Sequence, residues 1–200
     1  MTAIHEIIAI IEDTRLDKMG SLKFAVEIWQ LAIIPALMNN SDGWNVLDKQ
    51  VQKEVEEFQS RFLKEILAVP NSCPRSALNY ESNLLRMKYR MYGKVLNLIK
   101  HIFHQEEENL LKQILSEQVK NGWPGLSRDA MTIAEELEVE GLFDLQVNKT
   151  QFKLRVKEAC RRKNNEELGN EIKSYKKMKA MRDEFEKGNG YFYKESLSSA

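Results

Sequence analysis

Apolar residues recur along most of this 200-residue chain at intervals of three and four, the spacing of an amphipathic α-helix. The pattern predicts helices over residues 3–18, 21–39, 48–67, 74–80, 84–104, 106–121 and 127–137. The stretch 21–39 is apolar on most sides, which predicts a buried central helix that Pro35 kinks or restarts. With four prolines and nine glycines, the chain has too few turn residues for an all-β protein.

From residue 149 the apolar positions become sparser and the basic ones denser. Phe152, Val156 and Ala159 predict one modest helix, and Leu168, Ile172 and Tyr175 predict another. We therefore predict an all-α fold, an irregular multi-helix bundle with a basic helical C-terminal extension. The expected division is a helical core over 1–146, the basic extension over 147–187 and a disordered tail over 188–200.

Turn and capping residues predict where several of these helices begin and end. Ser72 and Ser127 are candidate N-caps, and the segment 122–125, Gly-Trp-Pro-Gly, predicts the end of the helix before it. The tryptophans Trp29, Trp44 and Trp123 are interpreted as packing residues.

The formal net charge of zero conceals a strong segregation along the chain. Residues 66–104 carry six basic side chains and one acidic, residues 105–146 carry three basic and ten acidic, and residues 149–179 carry eleven basic and four acidic. Local patches, and not the overall charge, therefore indicate what the protein binds.

The predicted helix 84–104 carries five basic residues and no acidic one, and Tyr89 and Tyr92 lie among them. Arg86, Arg90 and Lys94 share one face at a spacing of four, which predicts a track for phosphates with aromatics for stacking. The alternative is a solvated helix face whose tyrosines belong to the core. The candidate nucleic-acid contacts on this helix are Arg86, Lys88, Arg90, Lys94 and Lys100.

A second basic cluster lies in the C-terminal extension, with little apolar support around it. It suits a phosphate-binding arm or, equally, a surface for an acidic partner, whereas the acidic block 105–146 would argue against nucleic-acid binding if it neutralised the cations within the fold. The cluster comprises Lys153, Arg155, Lys157, Arg161, Arg162 and Lys163, followed by Lys173, Lys176, Lys177 and Lys179; Arg161, Arg162 and Lys163 are its candidate contacts.

No sequence motif for catalysis or cofactor binding is present. The glycines form neither a P-loop nor a dinucleotide fingerprint, and no nucleophile elbow occurs. His101 and His104 have metal-ligand spacing but no third ligand, so we interpret them as cations at a helix C-terminus. We predict no catalytic residue, no metal and no cofactor; an enzyme would need distant groups such as His5, Cys73 and His101 to converge.

Three features of the sequence indicate the compartment of the protein and its relation to membranes. The N-terminus lacks the basic region of a signal peptide, the two cysteines form no disulfide framework, and the longest apolar stretch is too short to span a bilayer. These features predict an intracellular protein of the nucleus or cytoplasm that is neither secreted nor membrane-bound.

Three segments, read as whole strings, resemble non-LTR (LINE-like) retrotransposon reverse transcriptases. Residues 27–44 read EIWQLAIIPALMNNSDGW, residues 58–92 read FQSRFLKEILAVPNSCPRSALNYESNLLRMKYRMY, and residues 107–126 read EENLLKQILSEQVKNGWPGL. Similar blocks follow the polymerase palm in that family. The likeness runs from about residue 4 to about residue 180.

The resemblance implies a thumb-like and post-thumb helical region, which in such enzymes helps to hold the template–primer. The family's catalytic aspartates lie in the palm, in a turn with an Asp-Asp pair, and this chain has no Asp-Asp pair. The family's endonuclease and zinc knuckle are also without counterparts. The resemblance thus implies a non-catalytic fragment that binds RNA or DNA beside a polymerase palm. Two alternatives are a helical protein-interaction or assembly module and a degenerate copy without selected function.

Overall fold

A computed structural model describes residue 24 and residues 26–39, 45–67 and 69–174 of the chain. Within these residues the fold is all α-helical, without a strand, as the periodicity predicts. The predicted helix 3–18 and the predicted tail 188–200 lie outside the described residues. The elements are a π-helical turn Trp29–Ile33 and the helices α1 Ile34–Met38, α2 Lys49–Ile66, α3 Arg75–Ser82, α4 Met87–Phe103, α5 Leu110–Asn121, α6 Leu126–Leu137 and α7 Lys149–Ser174.

The π-helical turn lies immediately before Pro35 and has a local cause. Proline has no amide hydrogen and its ring clashes with the carbonyl four residues earlier. Here the amide of Ile34 donates to the carbonyl of Trp29, five residues back, and a regular helix restarts with Pro35 in its first turn. The predicted restart at Pro35 is confirmed.

The chain folds into two compact units, and each is described by itself. Unit 1 comprises Met1–Asn39, Lys53–Arg86 and Glu166–Ala200, and unit 2 comprises Asn40–Gln52 and Met87–Asn165. The predicted boundary at residues 146/147 does not coincide with this division, because the first seventeen residues of the long helix after it pack within unit 2. Helix α7 is also continuous, so the two modest helices predicted for this region are one.

The described core of unit 1 is built around aromatic side chains. Trp29 is fully buried and stacks on Phe62 with ring centroids 4.4 Å apart, and Tyr80 packs with Leu168 and Ile172. Leu31, by contrast, is 79% exposed. Over residues 26–39 this part of the predicted helix therefore buries one face and is not surrounded on all sides, so the prediction of a fully buried helix is corrected.

Unit 2 is organised around α4, which packs against α5, α6 and α7. Nine of its seventeen residues are buried, and all of these except Lys100 are apolar or aromatic. Helices α4 and α7 lie against each other at Gly93, where a Cβ would make an ordinary contact of 3.6 Å with a methyl of Val156. Tyr89, Tyr92, Leu96 and Ile99 are buried, so the alternative that the tyrosines belong to the core is confirmed.

Helix ends agree with the sequence in some places and differ in others. The amides of Gly122 and Trp123 bond to the carbonyls of Val119 and Gln118, which closes α5 in a Schellman motif at the predicted segment. Helix α5 begins at Leu110 and not at residue 106, because Asn109 caps it. Ser127 is not an N-cap: it lies inside α6 and donates to the carbonyl of Leu115. Ser72 is not one either, since the residue before α3 is Pro74.

Candidate nucleic-acid interface

Lys100, one of the five predicted contacts near α4, has a structural role in unit 2. Its side chain is 2% exposed, and its ammonium donates to the carbonyls of Gly141 and Asp144 at 2.6 and 2.5 Å. The ammonium also lies 5.1 Å from the centre of the Phe152 ring. Burial lowers the pKa of Lys100 from its ordinary value. Because no phosphate can reach this buried group, Lys100 is removed from the candidate contacts.

Lys88 and the two tyrosines form an internal polar cluster of unit 2. The Lys88 ammonium lies 2.8 Å from a carboxylate oxygen of Glu136, and 5.0 and 5.5 Å from the ring centres of Tyr89 and Tyr92. The Tyr92 hydroxyl donates to Glu136 at 3.1 Å and accepts from Gln52 at 3.1 Å. Burial and the Glu136 charge raise the pKa of Tyr92 to about 12. Both tyrosines are buried, so the predicted stacking on bases is corrected.

Arg86 belongs to unit 1 and is tied to the second half of α7. Its guanidinium lies 3.3 Å from a carboxylate oxygen of Glu167 and 2.7 Å from one of Glu171. Burial disfavours its charge, but the hydrogen bond and charge of Glu171 outweigh burial and raise the pKa of Arg86. Arg90 and Lys94, in unit 2, are half-buried, and each has an interaction partner within the chain. The predicted track therefore offers little free positive charge.

The first half of α7 places two of the three predicted contacts in ion pairs. Glu138 lies 3.0 Å from Arg162 and 2.7 Å from Lys163. The hydrogen bond from Lys163, with the charges of Lys163 and Arg162, lowers the pKa of Glu138. Arg161, the third predicted contact, is exposed.

Arg161 is the last of four exposed cations that recur every four residues along α7. We call this set the cationic row; its members are Lys149, Lys153, Lys157 and Arg161. None of the four forms an ion pair with another residue of the chain that the structure describes. Successive members are separated by a rise of about 6 Å, and each step turns about 40° around the helix. The row therefore follows a shallow spiral about 18 Å long on the exposed side of α7.

The acidic block 105–146 neutralises only part of the positive charge of α4 and α7. Glu136 pairs with Lys88 and Glu138 pairs with Arg162 and Lys163, whereas Glu107 and Glu117 pair with lysines of the block itself. The remaining acids of the block form no ion pair in the described part of unit 2; they are Glu106, Glu108, Asp129, Glu135, Glu140 and Asp144. Ion pairs with the described acidic residues thus leave the cationic row accessible.

Two open depressions of about 340 and 490 Å³ lie side by side near the end of α6. They share Glu138, Val139 and Glu140, and the larger one is also lined by Arg155 and Arg162. Carboxylates and guanidinium groups are mixed along its wall, so it favours neither an anionic nor a cationic ligand.

The histidines and cysteines form no site within the described residues. At the C-terminal end of α4, the side-chain amide of Gln105 donates to Nε2 of His101 at 3.0 Å, and Nδ1 of His104 donates to the carbonyl of Lys100 at 3.0 Å. Cys160 is buried, which raises the pKa of its thiol to about 12, and Cys73 is half-buried in unit 1. No group of three or more potential metal ligands occurs in the part of the chain described. His5 lies outside it.

No protein-family model matches the chain, and no curated protein or solved structure shows significant similarity to it. Likeness to reverse transcriptases therefore stays a prediction made from the sequence strings alone. Of the described helices, none is long and apolar enough to cross a membrane.

Of the four residues in the cationic row, only Arg161 is a contact predicted from the sequence. Lys153 and Lys157 belong to the predicted basic cluster but not to its candidate contacts, and Lys149 belongs to neither. Their spacing of four was present in the sequence, as it was for Arg86, Arg90 and Lys94. What distinguishes the two sets is exposure, which depends on the elements that pack around each helix.

Proposed function

We propose that this chain is a non-catalytic helical segment that binds the phosphates of RNA or DNA without reading sequence. The single observation that carries the proposal is the cationic row of α7: four exposed cations on one helix, none of them in an ion pair with a described residue. On this proposal the segment corresponds to the template–primer-holding region of a non-LTR retrotransposon reverse transcriptase, and bond formation belongs to a polymerase palm that it accompanies.

The geometry of the row suits a polyanion better than a single anion. Its four charges are spread over about 18 Å at regular steps of about 6 Å, so no two of them converge on one phosphate. A nucleic-acid strand presents phosphates at repeated short intervals, and each one that a cation neutralises releases condensed counterions. Several weak, evenly spaced contacts therefore add up along a strand.

Sequence-independent binding follows from the groups available. Lysine and arginine on an exposed helix face reach phosphates, which carry no sequence information. The tyrosines that would have stacked on bases are buried in unit 2. Binding by the row alone should accordingly be electrostatic, weak at physiological salt and steeply salt-dependent.

The test measures affinity against salt concentration by fluorescence anisotropy, using a labelled single-stranded RNA, a DNA strand of the same sequence and the DNA duplex that this strand forms with its complement. Four neutralised phosphates predict a slope of log K against log salt of about −2.8 on single strands and about −3.6 on a B-form DNA duplex. The test variant replaces the whole cationic row by alanine: Lys149→Ala, Lys153→Ala, Lys157→Ala and Arg161→Ala. It should lose most of the binding at about 50 mM salt and most of the slope.

A matched control separates the row from overall charge. Lys49→Ala, Lys53→Ala, Lys120→Ala and Arg128→Ala together also remove three lysines and one arginine, all exposed but scattered over the chain. The control variant should retain nearly the wild-type slope. The proposal is wrong if the wild type does not bind at about 50 mM salt, or if the control loses as much affinity as the row variant.

A further inference from the structure

Helix α5 exposes three of its apolar side chains. Leu110, Leu111 and Ile114 are 67%, 57% and 45% exposed, although their periodicity predicts an inward face. Only Lys112 and Leu115 of this helix are buried. The three side chains lie within the first turn and a half of α5 and span about 100° of its circumference, so they form one continuous apolar surface.

Acidic residues surround this apolar surface. Glu106 and Glu108 lie just before α5, are exposed, and form no ion pair within the described part of the chain. Glu117 lies about one turn beyond Ile114, exposed, with Lys120 at 3.7 Å. We call Leu110, Leu111, Ile114 and these three acids the α5 face. Its composition favours a partner that is apolar in the centre and basic around it.

The first half of α7 presents such a surface. Leu154 is 54% exposed, and Lys157 and Arg161 follow it by three and seven residues, which places all three on the same side of the helix. Glu158 is the one acid of the exposed surface of α7 between residues 149 and 162, against six cations. A leucine among cations on α7 is thus complementary to leucines among acids on α5.

These two surfaces do not neutralise each other inside one chain. The cations of the row form no ion pair with another described residue, and neither do Glu106 and Glu108. The charges of both surfaces therefore remain available to a second molecule.

We propose that the α5 face of one copy docks on the exposed side of α7 of a second copy. Because the two surfaces differ, the contact is heterologous, and the resulting dimer keeps one unused surface at each end. The contact is small, three apolar side chains against one with charges around them, so association should be weak and electrostatically assisted.

The first measurement is sedimentation velocity of the full chain across a concentration series. At about 100 µM and about 50 mM salt the mean mass should exceed that of a monomer, and at about 500 mM salt it should return toward it, because the charges are exposed. A salt-insensitive monomer at the highest concentration would overturn the proposal.

Complementation of two variants tests the geometry of the contact. Leu110→Gln with Ile114→Gln disables the α5 face, and Lys157→Gln with Arg161→Gln disables α7; neither introduces a charge that could create a new contact. Each variant alone should be monomeric. An equimolar mixture should give a one-to-one dimer and nothing larger, since only one intact pair of surfaces is left. Leu145→Gln, at an exposed apolar residue outside both surfaces, is the control and should associate as the wild type does.

Other results would exclude this arrangement. Association of the α7 variant with itself would mean that α5 faces pair with one another, and a mixture that stays monomeric would mean that the surfaces do not meet. Circular dichroism verifies that the variants fold, which is expected because all four side chains are exposed. The inference does not need nucleic-acid binding: a chain that assembles but retains no RNA or DNA would sustain it while refuting the proposed function.

Discussion

Helices α4 and α7 both carry closely spaced lysines and arginines, but α4 directs them into the fold and the first half of α7 directs them outward. Helix α4 is covered by α5, α6 and α7, so its cations meet carbonyls, carboxylates and rings. Helix α7 buries one stripe through Phe152, Val156 and Cys160, and the rest of its circumference is exposed. A basic stripe thus indicates a binding surface only on a helix that keeps a free side.

The largest expected difference between the two helices is in the unfolding free energy when one lysine on each is replaced. Lys100→Met removes the donor to two carbonyls, and losing charge-assisted bonds in a buried site should cost about 2 kcal/mol or more of unfolding free energy. Lys157→Met on the exposed row should change the unfolding free energy by less than about 0.5 kcal/mol. Urea denaturation followed by circular dichroism measures both. Equal midpoints would show that Lys100 is not structural.

Replacing Tyr92 by phenylalanine distinguishes a role in the stability of the core from a role in nucleic-acid binding. Tyr92→Phe loses the hydrogen bonds with Glu136 and Gln52, which should reduce stability by about 1 kcal/mol. Nucleic-acid affinity should stay unchanged, because the ring is buried. A loss of affinity without a loss of stability would restore the stacking role that the sequence predicted.

The pH dependence of the same variant gives a second measurement. The pKa of Tyr92 in the folded chain is about 12, above the ordinary value of 10.0. A raised pKa means that the protonated hydroxyl stabilises the fold fully below pH 10 and that this contribution disappears as the pH rises toward 12. The stability difference between wild type and Tyr92→Phe should therefore shrink across that range.

The smallest expected effect concerns the ion pairs at the end of the cationic row. Glu138→Gln removes the ion pairs of Arg162 and Lys163 with this carboxylate, which should steepen the salt dependence on single strands by up to about 1.4 units of slope and raise affinity several-fold. Glu135→Gln, at an exposed acid without an ion pair in the last turn of α6, is the matched control and should have a smaller effect. Equal effects of the two variants would mean that general charge, not release of these cations, governs binding.

The dependence of stability on acid pH tests the same ion pairs of Glu138 with Arg162 and Lys163. The pKa of Glu138 lies below its ordinary value of 4.5, since Lys163 and Arg162 stabilise the carboxylate. The pairs thus contribute stability above pH 4.5, and this is lost as the pH falls through the lowered pKa. Glu138→Gln should show a weaker loss of stability below pH 4.5 than the wild type, and the same acid dependence would contradict the pairing.

The sequence by itself determined the all-α fold, the inward stripe of α4, the restart at Pro35 and the end of α5 at Gly122. Each depends on residues close together in the chain: apolar side chains three and four apart, a proline without an amide hydrogen, and a glycine that adopts a positive φ at a helix end.

Tertiary structure alone decided which charges and which leucines face solvent. Lys100 is a candidate phosphate contact in the sequence, but packing buries it, and packing leaves the apolar Leu110 and Ile114 exposed. Helical periodicity fixes which residues share a face of one helix, but the exposure of that face depends on neighbours that are distant in sequence. For this reason the cationic row and the α5 face became visible only when the helices were placed together.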